Sequence, residues 1–238
     1  MVQVLETPQH QIIKQEKKFV IAYRYTTPHR IQHLVNLICM NLLFITGLEI
    51  SLSKYPFGGY KFTQNLHLYL GFFIVYWSIY VYFVIIAFEK KLKELIPTPR
   101  DLLDLFIILM CALKILPDSK YPHYDFYDPI KKKYVMKYHP TQKLLAFGNI
   151  VMLIFISITG FALYEQVSPD TIGIIGTLSM NMVTPFIDFV GITLRFLHFA
   201  IFVYFLMGTT IHVYFTMLPE NRGRLHGMMI GGEKIYIE

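Results

Sequence analysis

Cysteine and charge are both scarce in this sequence, and the shortage of cysteine excludes whole classes of metal chemistry. Only Cys39 and Cys111 occur among 238 residues, and no CxxC motif is present. An iron–sulfur cluster needs four thiolates, or two thiolates with two histidines, and a structural zinc site needs a similar set of clustered ligands. We therefore expect no cysteine-based metal site on this chain.

Charged residues make up only 16% of the chain, whereas hydrophobic residues make up 54%. Soluble domains carry about 25% charged residues, so the composition predicts a protein that is exposed to lipid. The formal net charge is +6, which could indicate a nucleic acid partner or an anionic surface. The positions of the basic residues decide between these interpretations.

Four segments are long and apolar enough to cross a bilayer, which requires roughly 20 residues as a helix. We expect spans at about residues 31–52, 62–88, 144–164 and 196–219. Glu49, in the first segment, should reach water at the outer interface. Residues 102–116 are too short to span and predict an amphipathic helix on the membrane surface. Residues 171–187 contain several glycines and Pro185, which favours a re-entrant or partner-covered loop.

Basic residues collect on one side of these predicted spans. Of the 22 lysines and arginines, only Lys54, Lys61 and Arg195 lie on the other side. Because cytoplasmic loops carry the excess of basic residues, we expect a multi-pass protein of the plasma membrane with both termini in the cytoplasm and no nucleic acid partner. The expected fold is an all-α integral membrane four-helix bundle with an additional cytoplasmic-side amphipathic helix, and residues 1–238 form one domain.

Four of the nine histidines lie inside the predicted spans, where ionisable residues are costly and usually functional. His33 lies at the inner start of the first span and His67 at the outer start of the second. The fourth span contains His198 near its outer end and His212 near its inner end, 14 residues apart. At about 100° and 1.5 Å per residue, these two share one helix face and are separated by roughly 21 Å along its axis.

These depths pair His33 with His212 and His67 with His198. A low-spin electron-transfer haem needs both axial positions of its iron filled, so two such pairs predict two haems, one above the other. A lone intramembrane histidine is more often a buried hydrogen-bonding residue, but four histidines paired by depth favour haem. Zinc is disfavoured because no site gathers three or four ligands.

Other residues near the span ends fit the same hypothesis less specifically. Gly47, Gly160 and Gly208 could leave space beside a porphyrin, although close helix packing explains them equally well. A Thr-Gly pair occurs in two spans, at residues 46–47 and 159–160. Basic residues at helix ends could contact haem propionates or reach lipid headgroups instead; these are Arg30, Lys143 and Arg195.

The sequence resembles the integral membrane cytochrome b subunits of respiratory hydrogenases, formate dehydrogenases and thiosulfate reductases. The likeness covers essentially the whole chain, and its most specific element is Arg195-Phe-Leu-His198 followed by His212-Val-Tyr. It implies a bundle with two b haems between an iron–sulfur partner and a quinone. The resemblance also implies a quinone site at Tyr138, His139 and Gln142, although His139 and Thr141 depart from the residues the family often has there.

The chain by itself has no cysteine cluster, nucleotide loop or acid–base pair for oxidising hydrogen, formate or a sulfur compound. We therefore expect an electron-transfer subunit without a substrate-oxidising site of its own, in a complex for which hydrogenase is favoured. Its expected partners are an iron–sulfur subunit and a catalytic subunit on the outer side, membrane lipid and a quinone. Residues 165–193 are the candidate docking surface, or else a segment on the membrane surface.

Electrons would enter at the outer haem, pass to the inner haem and reduce the quinone with protons from the cytoplasm. Two other functions stay open from the sequence. A self-contained transmembrane electron shuttle of the cytochrome b561 kind would reduce an outer acceptor without a catalytic partner. A transporter could instead use the histidines to carry protons.

Overall fold

Helices account for most of the residues that the computed structural model describes, which are 19–84, 96–122, 124, 126–128, 130–135 and 138–236. Seven α-helices lie within these ranges: α1 Thr27–Leu52, α2 Gly59–Val84, α3 Pro99–Ala112, α4 Pro140–Val167, α5 Ile174–Val190, α6 Leu194–Met217 and α7 Arg222–Met229. Single-turn 3₁₀ helices follow α3 and α6, at Asp118–Lys120 and Pro219–Asn221. The predicted all-α class is confirmed, with four short strands added to it.

Three of these helices, α1, α4 and α6, are long and apolar enough to cross a membrane. They contain 26, 28 and 24 residues, and at about 1.5 Å per residue each exceeds the roughly 30 Å of a hydrocarbon core. Helix α2 has 26 residues and contains most of the second apolar segment, of which residues 85–88 lie outside the described ranges. Each of the four begins before its predicted span, because polar residues at a helix end can reach interfacial water.

Large apolar side chains cover the outside of these helices. Ile38 is 53% exposed, Tyr76 is 73% exposed and Phe189 is 91% exposed. The buried apolar clusters are small, and the one between α1 and α6 centres on Phe44 and Phe205. Such an exterior suits lipid contact, while the interior of the helical part keeps polar side chains close together.

Residues 171–187 form most of a helix, α5, so the prediction of a loop there is wrong. Gly176, Ser179 and Val183 follow one face of α5 and are buried. The small residues that argue against a membrane span therefore allow close helix packing. At Gly176 a Cβ atom would overlap the carboxylate of Glu165 on α4, which explains why the position lacks a side chain.

Helix α3 covers most of the predicted amphipathic segment 102–116, begins three residues before it and ends at Ala112. An ion pair fixes it to the start of α4. The hydroxyl of Thr98 accepts from the Asp101 backbone N–H, and the Asp101 carboxylate accepts from the Thr98 backbone N–H, which forms a capping box. The Lys143 ammonium lies 2.9 and 3.2 Å from the two oxygens of Asp101. Burial opposes ionisation of Asp101, but its hydrogen bonds to Thr98 and Lys143 outweigh burial and lower its pKa.

Four short strands form two antiparallel ribbons that were not predicted. Strand β1, Phe19–Ala22, pairs with β4, Glu233–Tyr236, and β2, Phe126–Asp128, pairs with β3, Lys133–Val135. The pairing of β1 with β4 places residues 19–22 beside residues 233–236 on the same side of the helices.

A polar contact joins the two ribbons. The guanidinium of Arg24 lies 4.4 Å from the centre of the Tyr134 ring, and the Tyr134 hydroxyl donates to Glu233 at 2.9 Å. Burial, together with the Glu233 carboxylate, raises the pKa of Tyr134 to about 12, so the phenol stays protonated and continues to donate. The ribbons therefore form one connected layer at this end of the protein.

The prediction that Glu49 reaches water is wrong. Its residue is 8% exposed, and its carboxylate accepts a hydrogen bond of 2.8 Å from the Thr63 hydroxyl on α2. The pairing of α1 with α2 brings this hydroxyl to the carboxylate, so a polar partner inside the protein replaces the solvent.

Candidate functional site

Two pairs of histidine rings face each other between the long helices. The ring centroids of His33 on α1 and His212 on α6 are 6.3 Å apart, and those of His67 on α2 and His198 on α6 are 6.5 Å apart. These are the pairs that depth along the predicted spans indicates. Both pairs use α6, so the two sites lie roughly four helical turns apart.

The ring separations fit an ion between the two imidazoles of each pair. A direct hydrogen bond between two imidazoles would bring their centroids to about 5 Å. A histidine nitrogen binds a metal at about 2 Å, and the centroid lies about 1 Å behind it, so two axial imidazoles have centroids about 6 Å apart. Within the described residues no cluster of three or more His, Cys, Asp or Glu side chains could hold a metal ion. The ring separations therefore suit two axial ligands of one haem iron.

A threonine from a neighbouring helix holds each histidine of the pair His67 and His198. We call this the outer pair, and His33 with His212 the inner pair, after the predicted sides of the spans at which they lie. The hydroxyl of Thr46 lies 2.8 Å from Nδ1 of His67, and that of Thr159 lies 2.8 Å from Nδ1 of His198. Each hydroxyl also donates to a carbonyl of its own helix, Thr46 to Leu42 at 2.8 Å and Thr159 to Phe155 at 3.0 Å.

These paired contacts determine the tautomer of both outer histidines. A hydroxyl has a single proton, and the helix carbonyl, which can only accept, takes it. The hydroxyl oxygen of Thr46 or Thr159 must then accept from an Nδ1–H of His67 or His198. In the neutral ring this leaves the lone pair on Nε2, which is the atom available to a metal.

A glycine follows each of these threonines and lies against the same histidine. At Gly47 a Cβ atom would stand 3.3 Å from Cε1 of His67, and at Gly160 a Cβ atom would stand 3.3 Å from Cε1 of His198. Such contacts are tighter than ordinary van der Waals packing, so glycine lets the helix backbone approach the ring. The repeated Thr-Gly pair is thus a motif that holds a histidine ring. In the sequence, only the recurrence of the pair in two spans indicated that it is significant.

The inner pair lacks this arrangement. Nδ1 of His33 is buried and has no hydrogen-bond partner in the part of the chain that the structure describes. Gly208 on α6 was considered as a space beside a porphyrin. A Cβ atom built at this position would have Leu145 as its nearest neighbour, at 3.8 Å. The two pairs therefore share ring separation but differ in what supports the rings.

The three basic residues proposed for propionates have different surroundings. Arg30 donates to the carbonyls of Met229 and Ile230 at 3.3 and 2.6 Å, at the end of α7. Lys143 pairs with Asp101 as described above. Arg195 is exposed near the start of α6, and no ion pair of its side chain occurs among the described residues. The role of these residues toward a haem stays a prediction.

The residues proposed for a quinone lie where α4 begins. His139 is the N-cap of α4, and Oε1 of Gln142 accepts from the His139 backbone N–H at 3.3 Å. The Thr141 backbone N–H donates to Nδ1 of His139 at 3.3 Å, which places the ring proton of a neutral His139 on Nε2. That nitrogen lies 3.4 Å from the Tyr121 hydroxyl. Tyr138 directly precedes His139 and is half-buried.

A polar network connects this region to α3. The ring of Tyr124 packs edge-on against His139 with centroids 5.3 Å apart, and its hydroxyl donates to the carboxylate of Asp104. Burial and the neighbouring Asp104 charge raise the pKa of Tyr124. Tyr121 and Tyr124 were not among the predicted site residues, because nothing in the local pattern marks two loop tyrosines as neighbours of His139.

The fold and the paired histidines together define a membrane cytochrome b, and comparison with known proteins agrees. The chain belongs to the prokaryotic cytochrome b561 family, whose model matches residues 24–232. The chain is also 28% identical over 214 residues, 82% of its own length and 76% of the relative's, to the F420 non-reducing hydrogenase II cytochrome subunit of Methanosarcina mazei. The predicted resemblance to membrane cytochromes of hydrogenase-type complexes is thereby confirmed, and family membership implies haem b binding and electron transfer.

Proposed function

We propose that this protein is the dihaem cytochrome b membrane subunit of a respiratory oxidoreductase, passing electrons between an iron–sulfur subunit on the outer side and the quinone pool. The favoured catalytic partner is a hydrogenase. Helices α1, α2, α4 and α6 form the spanning bundle, with α3 at its cytoplasmic side and both termini in the cytoplasm. The pairing of β1 with β4 supports the placement of both chain ends on one side.

The ring geometry carries the proposal of two haems. His33 with His212, and His67 with His198, have the separation that axial ligands of one iron require. Haem bound at these positions supplies one-electron redox chemistry, and the protein supplies ligation, spacing and a low dielectric.

The partner assignment rests on the relative and on the exposed outer segment. The relative is a hydrogenase cytochrome subunit by name, and this chain has too few cysteines for an iron–sulfur cluster of its own. Helix α5 and its flanks expose Ile174 by 74% and Phe189 by 91%. Exposed apolar surface of this kind is typical of a docking site, and we assign it to the iron–sulfur subunit.

At the other end, the start of α4 is the proposed quinone site. A quinone accepts two electrons and two protons to become a quinol, so the site needs a group that can pass protons. In a protonated His139, Nδ1–H would donate to the Thr141 hydroxyl, 2.7 Å away, and Nε2–H would pass its proton to a quinone carbonyl oxygen. The neutral ring left behind would be reprotonated from the cytoplasm. Gln142 holds the His139 backbone in place, and Tyr138 would pack beside the ring. Arg195 would contact propionates, and Arg30 and Lys143 would do so while keeping their present partners, because each has further N–H donors.

Haem quantification of purified ligand variants tests the dihaem proposal. His67→Ala and His212→Ala should each remove or convert one of two low-spin haems, because each removes one axial ligand. His226→Ala is the matched control, since its ring donates to the Gly232 carbonyl and belongs to neither pair. Retention of two low-spin haems in either ligand variant would refute the pairing.

Pull-down from native membranes, with identification of the bound subunits, tests the partner. A stable complex with an iron–sulfur subunit supports the proposal. A haem protein that is isolated alone and exchanges electrons with ascorbate or ferric chelates would be a self-contained shuttle. Absence of visible haem absorption would contradict both functions and favour a proton-coupled transporter.

A further inference from the structure

The outer and inner histidine pairs differ in hydrogen bonding, and this difference has a consequence for electron flow. Both outer rings donate Nδ1–H to a threonine hydroxyl, His67 to Thr46 and His198 to Thr159, each at 2.8 Å. On the inner side, Nδ1 of His33 is buried without a hydrogen-bond partner among the described residues. The protein therefore supports its two proposed haem sites unequally.

A hydrogen bond from Nδ1–H makes the imidazole a more basic ligand at Nε2. A more basic axial ligand stabilises ferric iron more than ferrous iron, because the ferric ion carries the larger charge. Hydrogen bonding around the ligands is one of the means by which a protein sets a haem potential. Two such bonds on one iron thus lower its midpoint potential relative to an iron with an axial histidine that lacks one.

The surroundings of the threonines make these bonds strong. Thr159 is 1% exposed and Thr46 is 5% exposed. A cavity of about 300 Å³ adjoins Thr159, and its other lining side chains are all apolar. In such a low-dielectric setting a hydrogen bond is electrostatically stronger than in water. The glycines beside the rings, Gly47 and Gly160, keep each helix close enough for the contact.

We propose that Thr46 and Thr159 are positioning residues that hold the outer haem at a lower midpoint potential than the inner haem. With haem bound at both sites, an electron would move downhill from the outer site to the inner site, toward the proposed quinone site. This inference rests on the proposed dihaem function and adds to it the residues that lower the outer potential.

Optical redox titration of the intact purified complex tests the proposal. The two midpoints of the unmodified protein are assigned to sites by finding which one is lost in His67→Ala and which in His212→Ala. The outer haem should have the lower midpoint. Thr46→Val and Thr159→Val remove a hydroxyl while keeping the shape of the side chain, and each should raise the outer midpoint and leave the inner one unchanged.

The expected shift is at least a tenfold change in the reduced-to-oxidised ratio of the outer haem at fixed ambient potential, which is about 59 mV for one electron. Thr46→Ser and Thr159→Ser retain a hydroxyl and should restore the original midpoint. Thr184→Val is the matched control, because the Thr184 hydroxyl makes the same bond to its own helix, 2.8 Å to the Met180 carbonyl. Electron paramagnetic resonance should show an altered outer low-spin signal in the valine variants alone.

Several results would overturn the inference. The inference is wrong if the outer haem of the unmodified protein has a higher midpoint potential than the inner haem, and this measurement does not depend on the valine variants retaining haem. It is also wrong if the midpoints are unchanged in valine variants that retain both haems. Equal midpoint shifts in Thr184→Val would contradict it too. A protein that binds fewer than two haems would contradict the proposed function itself, so the two failures are distinguishable.

Discussion

Asp101 offers the sharpest test of how this protein holds its peripheral helix. Its carboxylate accepts from Lys143 at 2.9 and 3.2 Å, from the Thr98 backbone N–H at 2.7 Å and from the Thr98 hydroxyl at 2.6 Å. Side-chain exposure is 6% for Asp101 and 18% for Lys143. Asp101→Asn removes the negative charge while keeping an oxygen that can accept from Thr98.

The magnitude follows from the burial of the ion pair. Removing one partner of a buried pair costs about 3–5 kcal/mol, because the other charge stays buried and unpaired. Lys143 keeps some access to water, so we expect the lower end, about 3 kcal/mol. At about 1.4 kcal/mol per factor of ten, the fraction of molecules in which α3 has separated from α4 should rise roughly 100-fold.

Native-state hydrogen exchange of the α3 amides in detergent or nanodiscs measures this opening. The matched control is Asp118→Asn, because Asp118 also pairs with a lysine, Lys114, at 3.1 Å, but both side chains are about three-quarters exposed. Exposed pairs contribute about 0–1 kcal/mol, so Asp118→Asn should change exchange little. The double variant Asp101→Asn with Lys143→Met should recover much of the loss. Equal, small effects of Asp101→Asn and Asp118→Asn would refute the argument.

The same structure yields three further expectations. The pKa of Asp101 is lowered in the folded protein. Its contribution to stability is therefore present above the ordinary aspartate pKa of about 3.9 and is lost as pH falls through the lower folded value. Hydrogen exchange of the α3 amides between pH 3 and 6 would show the beginning of this loss. Arg30→Gln should increase proteolysis of residues 222–236, because the guanidinium holds the last carbonyls of α7; unchanged digestion would contradict this. Gly160→Ala should alter the outer low-spin haem signal, since its Cβ would stand 3.3 Å from the His198 ring, whereas Gly71→Ala, with nothing within 4 Å, should not.

The histidine pairs were predictable because helix geometry is regular. His198 and His212 share a face through their spacing alone, and the depth of His33 and His67 follows from the apolar segment in which each lies. The approximate positions of α1, α4 and α6 follow for the same reason, since a bilayer sets the length of an apolar helix, although each begins two to four residues before its predicted span. None of these inferences needs to know which helix stands beside which.

Other features depended on neighbours that are distant in sequence. The exposure of Glu49 was predicted wrongly because Thr63, whose hydroxyl donates to one of its carboxylate oxygens, belongs to another helix. The segment of α5 was expected to be a loop because its small residues were interpreted as unfavourable for a membrane span. Their role in close helix packing was not considered. Lys143 was considered for propionates, while its partner in the structure, Asp101, lies 42 positions earlier in the chain.

The sequence by itself thus determined the class of protein, its apolar helices and the positions of four of its nine histidines along them, because these depend on composition and on the regular rise of a helix. Only the tertiary structure decided that Thr46 and Thr159 hold the outer histidines, since a recurring Thr-Gly pair does not say which ring lies across from it. It also decided that residues 19–22 and 233–236 pair as strands. The physical reason is that such hydrogen bonds extend only about 3 Å, so they exist only once packing has brought the elements together.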